Sequence, residues 1–356
     1  MSRVLQLIDS LEAGGAERLS VSFANILVNE TEASFLCATR AEGILKETIN
    51  ASVGYLFLEK QSSIDIKAIL KLRKFVKQNR ISTIHAHSTS FFIATLVKLI
   101  YPKVQLIWHD HYGQSEFLEQ RPKRVLQFFS RFFSHIFCVN ETLVKWSQQN
   151  LKCKKISYLQ NFAMLIDSKK VTELKGEKGK RILCLANLRP QKDHLTLLKA
   201  FKVVMKTHAD WTLHCVGKDF NDAYSSQVSQ YINDNDLDNN VYLYGSCPDI
   251  KAILSQCDIG VLSSKSEGLP ISLLEYGLAK LPVIVTDVGD CNLIIKSDKM
   301  GCLINSEDVE AIENAIITYI ENKSERDVVS ENLHKHVLHN FSKEAVLETL
   351  LNTYNN

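Results

Sequence analysis

Two glutamates in an apolar setting pose the first chemical question. The stretch "SEGLPISLLEYGLAKLPVIVTD" (266–287) holds Glu267 and Glu275, separated by seven residues. An ionised carboxylate withdrawn from water costs roughly several kcal/mol unless it is paired or hydrogen-bonded, so each needs a partner. Ile271, Glu275 and Leu278 share one helical face at i, i+4 and i+7, while Leu273, Leu274 and Ala279 cover much of the rest. Glu275 therefore has no solvated face. Pro270 suits the first helical turn, which leaves Glu267, Gly268 and Leu269 in a loop whose backbone can approach a ligand at the helix's positive end. One carboxylate at the mouth and another about two turns deeper suit two hydroxyl-bearing parts of one ligand, such as a sugar and a ribose.

Cations and glycines add a matching anion chemistry. "LANLRPQKDHLTLLKAF" reads as strand, loop and helix, with Arg189 and Lys192 in the loop and Asp193 as N-cap. Two cations beside a helix N-terminus could neutralise a diphosphate, although a solvated loop would have the same composition. "LIDSLEAGGAERLS" repeats the arrangement with Gly14 and Gly15, which suit a phosphate or, equally, a tight turn. It lacks the GxGxxG spacing of dinucleotide-binding oxidoreductases. "LIWHDHYG" sets His109 and His111 at a strand end, and "HAH" does the same with His85 and His87. The i, i+2 spacing admits metal ligation, but Asp110 intervenes and no third ligand lies nearby in sequence, so no metal is expected. "DNDLDNN" (234–240) lacks the Gly and Glu of a calcium loop and reads as a polar loop.

These residues hang on alternating strands and helices, the pattern of parallel sheets covered on both faces. Strands are predicted at 4–9, 34–39, 82–87, 104–109 and 135–140, with helices at Ala16–Val28 and Ile66–Gln78 between them. A second series follows at 181–187, 212–217, 241–245, 259–264 and 282–287. The expected organisation is α/β, with a first Rossmann-like domain at 1–163, a lysine-rich linker at 164–180 and a second such domain at 181–340. Ligands of doubly wound sheets bind beyond the carboxyl ends of the strands, so a cleft between the two domains is the expected site.

Glu267 and Glu275 in "EGLPISLLE", with "GGAER", "LRPQKD" and "HDHYG", resemble the GT4-type glycosyltransferases of the GT-B fold over nearly the whole chain. The resemblance implies two domains facing across a cleft, with a C-terminal helix (341–356) crossing back onto the first. It implies retaining, metal-independent transfer from a nucleoside-diphosphate sugar, UDP-sugar by default, to a saccharide or lipid-linked saccharide in cell-surface polysaccharide assembly. By that resemblance Glu267 contacts donor-sugar hydroxyls, Glu275 the ribose, Lys192 the diphosphate and Gly14–Gly15 the phosphate–sugar junction, with Gly268, Leu269 and Pro270 beside the donor. His109 is expected to position the donor sugar, with His111 as second choice, and His87 is an acceptor-side candidate. Where the family places arginine five residues before the lysine, this chain has Asn187, and the diphosphate role passes to Arg189. "GKD" (217–219) replaces the usual glycine-rich turn.

Composition narrows the alternatives. The chain has 356 residues, 45% hydrophobic and 23% charged, too many for one core. No run of about 18 uncharged apolar residues appears, and Asp9 and Glu12 interrupt the start where a signal peptide needs an apolar core, so a cytoplasmic protein is expected. Nine cysteines without a CxxC pair signal neither disulfides nor zinc. Residues 1–160 carry a charge of +8 and the remainder −6. That asymmetry points the first domain at an anionic partner such as a lipid surface; no nucleic-acid motif accompanies it. "RPKRVLQFFSRFFSHIF" sets Lys123, Arg124, Gln127 and Arg131 against Val125, Phe128, Phe129, Phe132 and Ile136, a stripe suited to peripheral contact at the inner membrane face through 121–136 or to core packing. A nucleotide-sugar epimerase and a non-catalytic nucleotide-sugar binder remain as alternative functions.

Overall fold

The computed structural model describes residues 2–12, 14–113, 115–166 and 170–355. The chain divides into two compact units, Met1–Asn161 with Lys343–Asn356, and Phe162–Ser342.

In the first unit, β1 (Arg3–Ser10), β2 (Ala33–Ala41), β3 (Gly54–Phe57), β4 (Thr83–His87), β5 (Gln105–Asp110), β6 (His135–Cys138) and β7 (Ile156–Tyr158) form one parallel sheet in the order β3-β2-β1-β4-β5-β6-β7. Alternation along the strands sorts two faces. Leu5, Leu7, Ile84, Ala86, Leu106, Trp108 and Ile136 pack one core. The register pairs Gln6 with His85, His87 with His109, and His109 with Phe137, so these residues share the opposite face. Phe23 of the helix Gly15–Leu27 stacks on His85 and His109 there. The C-terminal helix Lys343–Asn355 buries Val346, Leu350 and Tyr354 within this same unit.

In the second unit, β8 (Arg181–Leu185), β9 (Thr212–Val216), β10 (Val241–Leu243), β11 (Ile259–Leu262), β12 (Val283–Thr286) and β13 (Cys302–Ile304) are parallel in the order β10-β9-β8-β11-β12-β13. Each sheet reverses its winding once, between β1 and β4 and between β8 and β11, and at such a switch point the loops diverge and leave a crevice. The edge strands β3, β7 and β13 are absent from the sequence-based expectation. At three or four residues they are too short to show a period.

Of the expected linker, 167–169 lie outside the described residues; beyond them Leu174 is buried and the Val171 and Thr172 amides donate to Asp249, which fastens these residues to the second unit. One expectation is corrected. The 121–136 stripe is not one amphipathic helix. It is a helix Arg124–Phe129, a 3₁₀ turn Ser130–Phe132 and then β6, with Ile136 in the core. Arg121 is drawn into a buried bidentate pair with Asp110 at 2.7 and 2.8 Å. Leu126, Phe129 and Phe133 pack against the core, whereas Val125 and Phe128 are more than half exposed. All nine cysteines are free.

Candidate functional site

The loops after β8 and β11 flank the second unit's switch point, and each carries one member of an ion pair. Beyond β8 the backbone runs through Asn187 to a 3₁₀ turn Pro190–Lys192, then to Asp193 in the left-handed region (φ 48°), from which the helix His194–Val204 starts. Asp193 caps that helix as the sequence predicts, its carboxylate accepting from the Thr196 amide and hydroxyl at 3.4 and 2.7 Å. Lys192 Nζ donates to both carboxylate oxygens of Glu267, at 2.6 and 2.7 Å. Ser264 Oγ adds a bond to Glu267 Oε1 at 2.6 Å. Ser263 Oγ donates to the carbonyls of Lys192 and Asp193, and the Lys265 amide to that of Gln191, so the two loops are laced together.

Glu267, Gly268 and Leu269 precede Pro270, the N-cap of the helix Ile271–Leu278. Glu275 is buried, 6% exposed, on that helix. The turn at Gly289 (φ 57°) lies directly against this loop, where an added Cβ would collide with the Glu267 carbonyl oxygen. The Asp290 amide donates to Gly268 O at 3.0 Å. Ser263, Ser264 and Gly289 have no signal in the sequence beyond their small size.

The remaining donor-side candidates separate. Asn187 Oδ1 accepts from the Lys218 amide at 2.8 Å, so its side chain braces the β8 and β9 loops against each other. Arg189 is exposed, and its guanidinium lies 4.2 Å from the Phe220 ring centroid. Between these strand ends a cavity of about 260 Å³ is lined by Ala186, Leu188, Gly217, Asp219, Leu243 and Tyr244, among others. Gly217 admits no side chain, since a Cβ there would strike the Ala186 carbonyl.

In the first unit, Gly14 is the extended N-cap of the helix Gly15–Leu27, and Ala13 falls outside the described residues. A Cβ on Gly14 would meet the Glu17 carboxylate. The chain's own anion therefore lies against this helix start, and a phosphate at Gly14–Gly15 would have to displace it.

The histidines form one cluster across two strands. His87 Nε2 lies 2.8 Å from Gln6 Oε1, His87 Nδ1 2.9 Å from His111 Nε2, and His85 Nδ1 2.7 Å from the Tyr354 hydroxyl. Gln6 Nε2 also donates to that hydroxyl, at 3.3 Å. His109 is fully buried under Phe23, and neither of its ring nitrogens has a hydrogen-bond partner. Burial holds His85, His87 and His109 well below the usual imidazole range and His111 down to about 3, so all four are neutral near pH 7. His109, expected to position the donor sugar, has its ring buried, and His111, the second choice, is half-buried and reaches the surface. His87, the acceptor-side candidate, is buried likewise.

The profile of "Glycosyl transferases group 1" matches residues 166–336, and that of "Glycosyltransferase Family 4" matches residues 13–163. The chain is 23% identical over 354 residues to an Escherichia coli UDP-Gal:alpha-D-GlcNAc-diphosphoundecaprenol alpha-1,3-galactosyltransferase, covering 92% of this chain and 90% of that protein. It is 25% identical over 317 residues to the Escherichia coli O-antigen biosynthesis glycosyltransferase WbnH, covering 86% and 88%. Among solved structures, Anabaena HepE in complex with UDP and glucose superposes with a TM-score of 0.82 at 17% identity, over 100% of both chains.

Proposed function

The chain belongs to the GT4-type glycosyltransferases, and from that premise we propose that it transfers a sugar, with retention and without a divalent ion at the diphosphate, from a UDP-sugar to a lipid-linked saccharide. The paired Lys192 and Glu267 at a switch point carry this reading. In it Lys192 turns from Glu267 to the diphosphate and neutralises the charge that builds as the sugar leaves. Glu267, released from the lysine, accepts hydrogen bonds from the sugar hydroxyls, and Glu275 accepts those of the ribose. The helix beginning at Ile271 aims its positive end at the same charge, so catalysis is electrostatic and positional. The nucleobase enters the cavity beside Gly217, whose lack of a side chain leaves the strand ends open. No cofactor takes part in the transfer.

The acceptor follows from the relatives, one of which acts on a diphosphoundecaprenol-linked sugar. Val125 and Phe128, exposed beside Arg124 and Arg131, suit an anionic membrane where such an acceptor would lie. No helix among the described residues is long and apolar enough to cross a membrane. The test is a donor panel against diphosphoundecaprenol-linked saccharides, with product anomers read by NMR and with chelator present. Acceptor-dependent release of UDP and an α-linked product from an α-donor are expected. Turnover undiminished in Glu267→Ala would sink the assignment, and donor consumption without acceptor would point to epimerisation.

A further inference from the structure

The amino ends of β4, β5 and β6 border a cavity of about 560 Å³ within the first unit, closed on its other side by the end of the C-terminal helix. We propose that this cavity binds the phosphate group of a phosphorylated saccharide or polyol, at a site separate from the one where transfer occurs. Lys98, Lys103, Lys155 and His135 line it, and no acidic side chain does. Ligands of doubly wound sheets bind beyond the carboxyl ends of the strands, which a strand of five or six residues sets roughly 15 Å away. The cavity therefore lies at the opposite edge of the sheet.

The lysines carry the argument. Elsewhere a partly buried lysine meets a carboxylate, as Lys192 meets Glu267 and Lys180 meets Asp210. Lys98 is half-buried and has no carboxylate partner among the described residues; its Nζ donates to the Pro102 and Val104 carbonyls at 3.0 and 2.6 Å. Those two bonds fix the ammonium beside the cavity and leave its third donor for a ligand. Burial pulls the Lys98 pKa below the usual lysine value, with no anion offsetting it. Lys155 lies close enough to His135 to add to the effect of burial, and the imidazole is pulled down to about 4. Cations gathered without a counter-ion repel one another, an excess that a bound anion removes. Phosphate oxygens accept charge-assisted bonds from several ammonium groups at once. The remaining lining includes Ser82, Ser134, Asn352 and Asn355, whose hydroxyls and amides match a hydroxyl-bearing body rather than an apolar one. The volume is that of a small-molecule site. The basic balance of residues 1–160 thus has one of its concentrations here. Gln105 Nε2 already donates to Thr353 O at 3.2 Å, so a ligand would reinforce an existing tie between the strands and the helix.

The experiment titrates the full-length protein with glucose 1-phosphate by calorimetry and with vesicles containing phosphatidylinositol by sedimentation, the same phosphate chemistry free and on a lipid. Wild type is compared with Lys103→Glu/Lys155→Glu in the cavity and with Lys67→Glu/Lys74→Glu, an equal charge change on exposed lysines outside it. The cavity variant should bind at least about tenfold more weakly, the scale of lost bonds to a charged group, and the control variant within about twofold of wild type. Lys192→Met should bind as wild type does, which separates this site from the donor's. A raised melting temperature with glucose 1-phosphate assigns the site to a soluble ligand; vesicle binding alone, lost in the cavity variant, assigns it to a lipid head. Failure of wild type to bind either probe overturns the proposal whether or not the variants fold. So does equal weakening in the two double variants, or loss of binding in Lys192→Met alone. None of these measurements requires sugar transfer, so neither reading decides the other.

Discussion

Lys192 and Glu267 are 75 residues apart in sequence, yet the lysine nitrogen bonds to both carboxylate oxygens, at 2.6 and 2.7 Å. Their side chains are 22% and 7% exposed. Removing one partner strands the other, and for buried pairs this costs about 3–5 kcal/mol, less here because the lysine reaches solvent. Replacing both members by neutral residues avoids the stranded charge. The prediction is therefore non-additive: Lys192→Met and Glu267→Gln each lower the melting temperature, and the double variant recovers most of the loss. Activity behaves otherwise. Each single variant should lose about a hundredfold or more in kcat, the scale of a lost transition-state donor, and the double should recover none of it. Thermal unfolding and turnover on the same three proteins check both statements.

Glu275 sits deeper, buried within the helix Ile271–Leu278. If it holds the ribose hydroxyls, it acts alike in ground and transition states. Glu275→Gln should then raise KM for the donor about tenfold or more while kcat changes little, the signature of lost uniform binding. Initial rates over a donor series decide this, and a kcat loss equal to that of Glu267→Gln would reassign the residue.

These two glutamates show what could be read from the chain alone. Strand, loop and helix around each are legible because local alternation and caps announce them. That the Lys192 loop meets the Glu267 loop depends on β8 pairing with β11, a long-range choice that neither segment encodes. The same limit governs the histidines. Each i, i+2 pair is visible on its own strand, but the set exists only because His87 lies opposite His109. The 121–136 stripe misleads for a different reason: its apolar period fits a helix, but Arg121 is captured by Asp110 and Ile136 is taken into β6, which tertiary packing alone decides.

Gly289 should matter without touching any ligand. At φ 57° a side chain is disfavoured by roughly 1–2 kcal/mol, and a Cβ would also press on the Glu267 carbonyl. Gly289→Ala is expected to lose at least that much stability and to cut kcat by about tenfold, through displacement of the Glu267 loop. Denaturant titration and turnover measure both; full activity in the variant would show that the loop is not held by this turn.

Val125 and Phe128 offer a surface test. Both are exposed, so Val125→Ser with Phe128→Ser should leave the melting temperature within about 0.5 kcal/mol equivalent of wild type. Sedimentation with anionic vesicles should fall severalfold, and binding of both proteins should weaken with salt, because Arg124 and Arg131 remain. Equal sedimentation of the two proteins would remove this face from the membrane contact.

Acid should unfold the first unit through its histidines. Burial holds His85, His87 and His109 well below their unfolded value near 6.5, and His111 at about 3. The native chain keeps them neutral while the unfolded chain takes up protons, so stability is complete above about pH 6.5 and declines as the pH falls toward 3. Each histidine contributes a slope of about 1.4 kcal/mol per pH unit in that window. Four acting together would cost about 5 kcal/mol between pH 6 and pH 5, a large share of a domain's usual stability. Denaturant melts in chelator at closely spaced pH values should show this decline beginning above the carboxylate range, and His109→Phe should flatten it by about a quarter. A flat profile down to pH 5 would mean that the native cluster accepts protons freely and that its burial is looser than the packing under Phe23 implies.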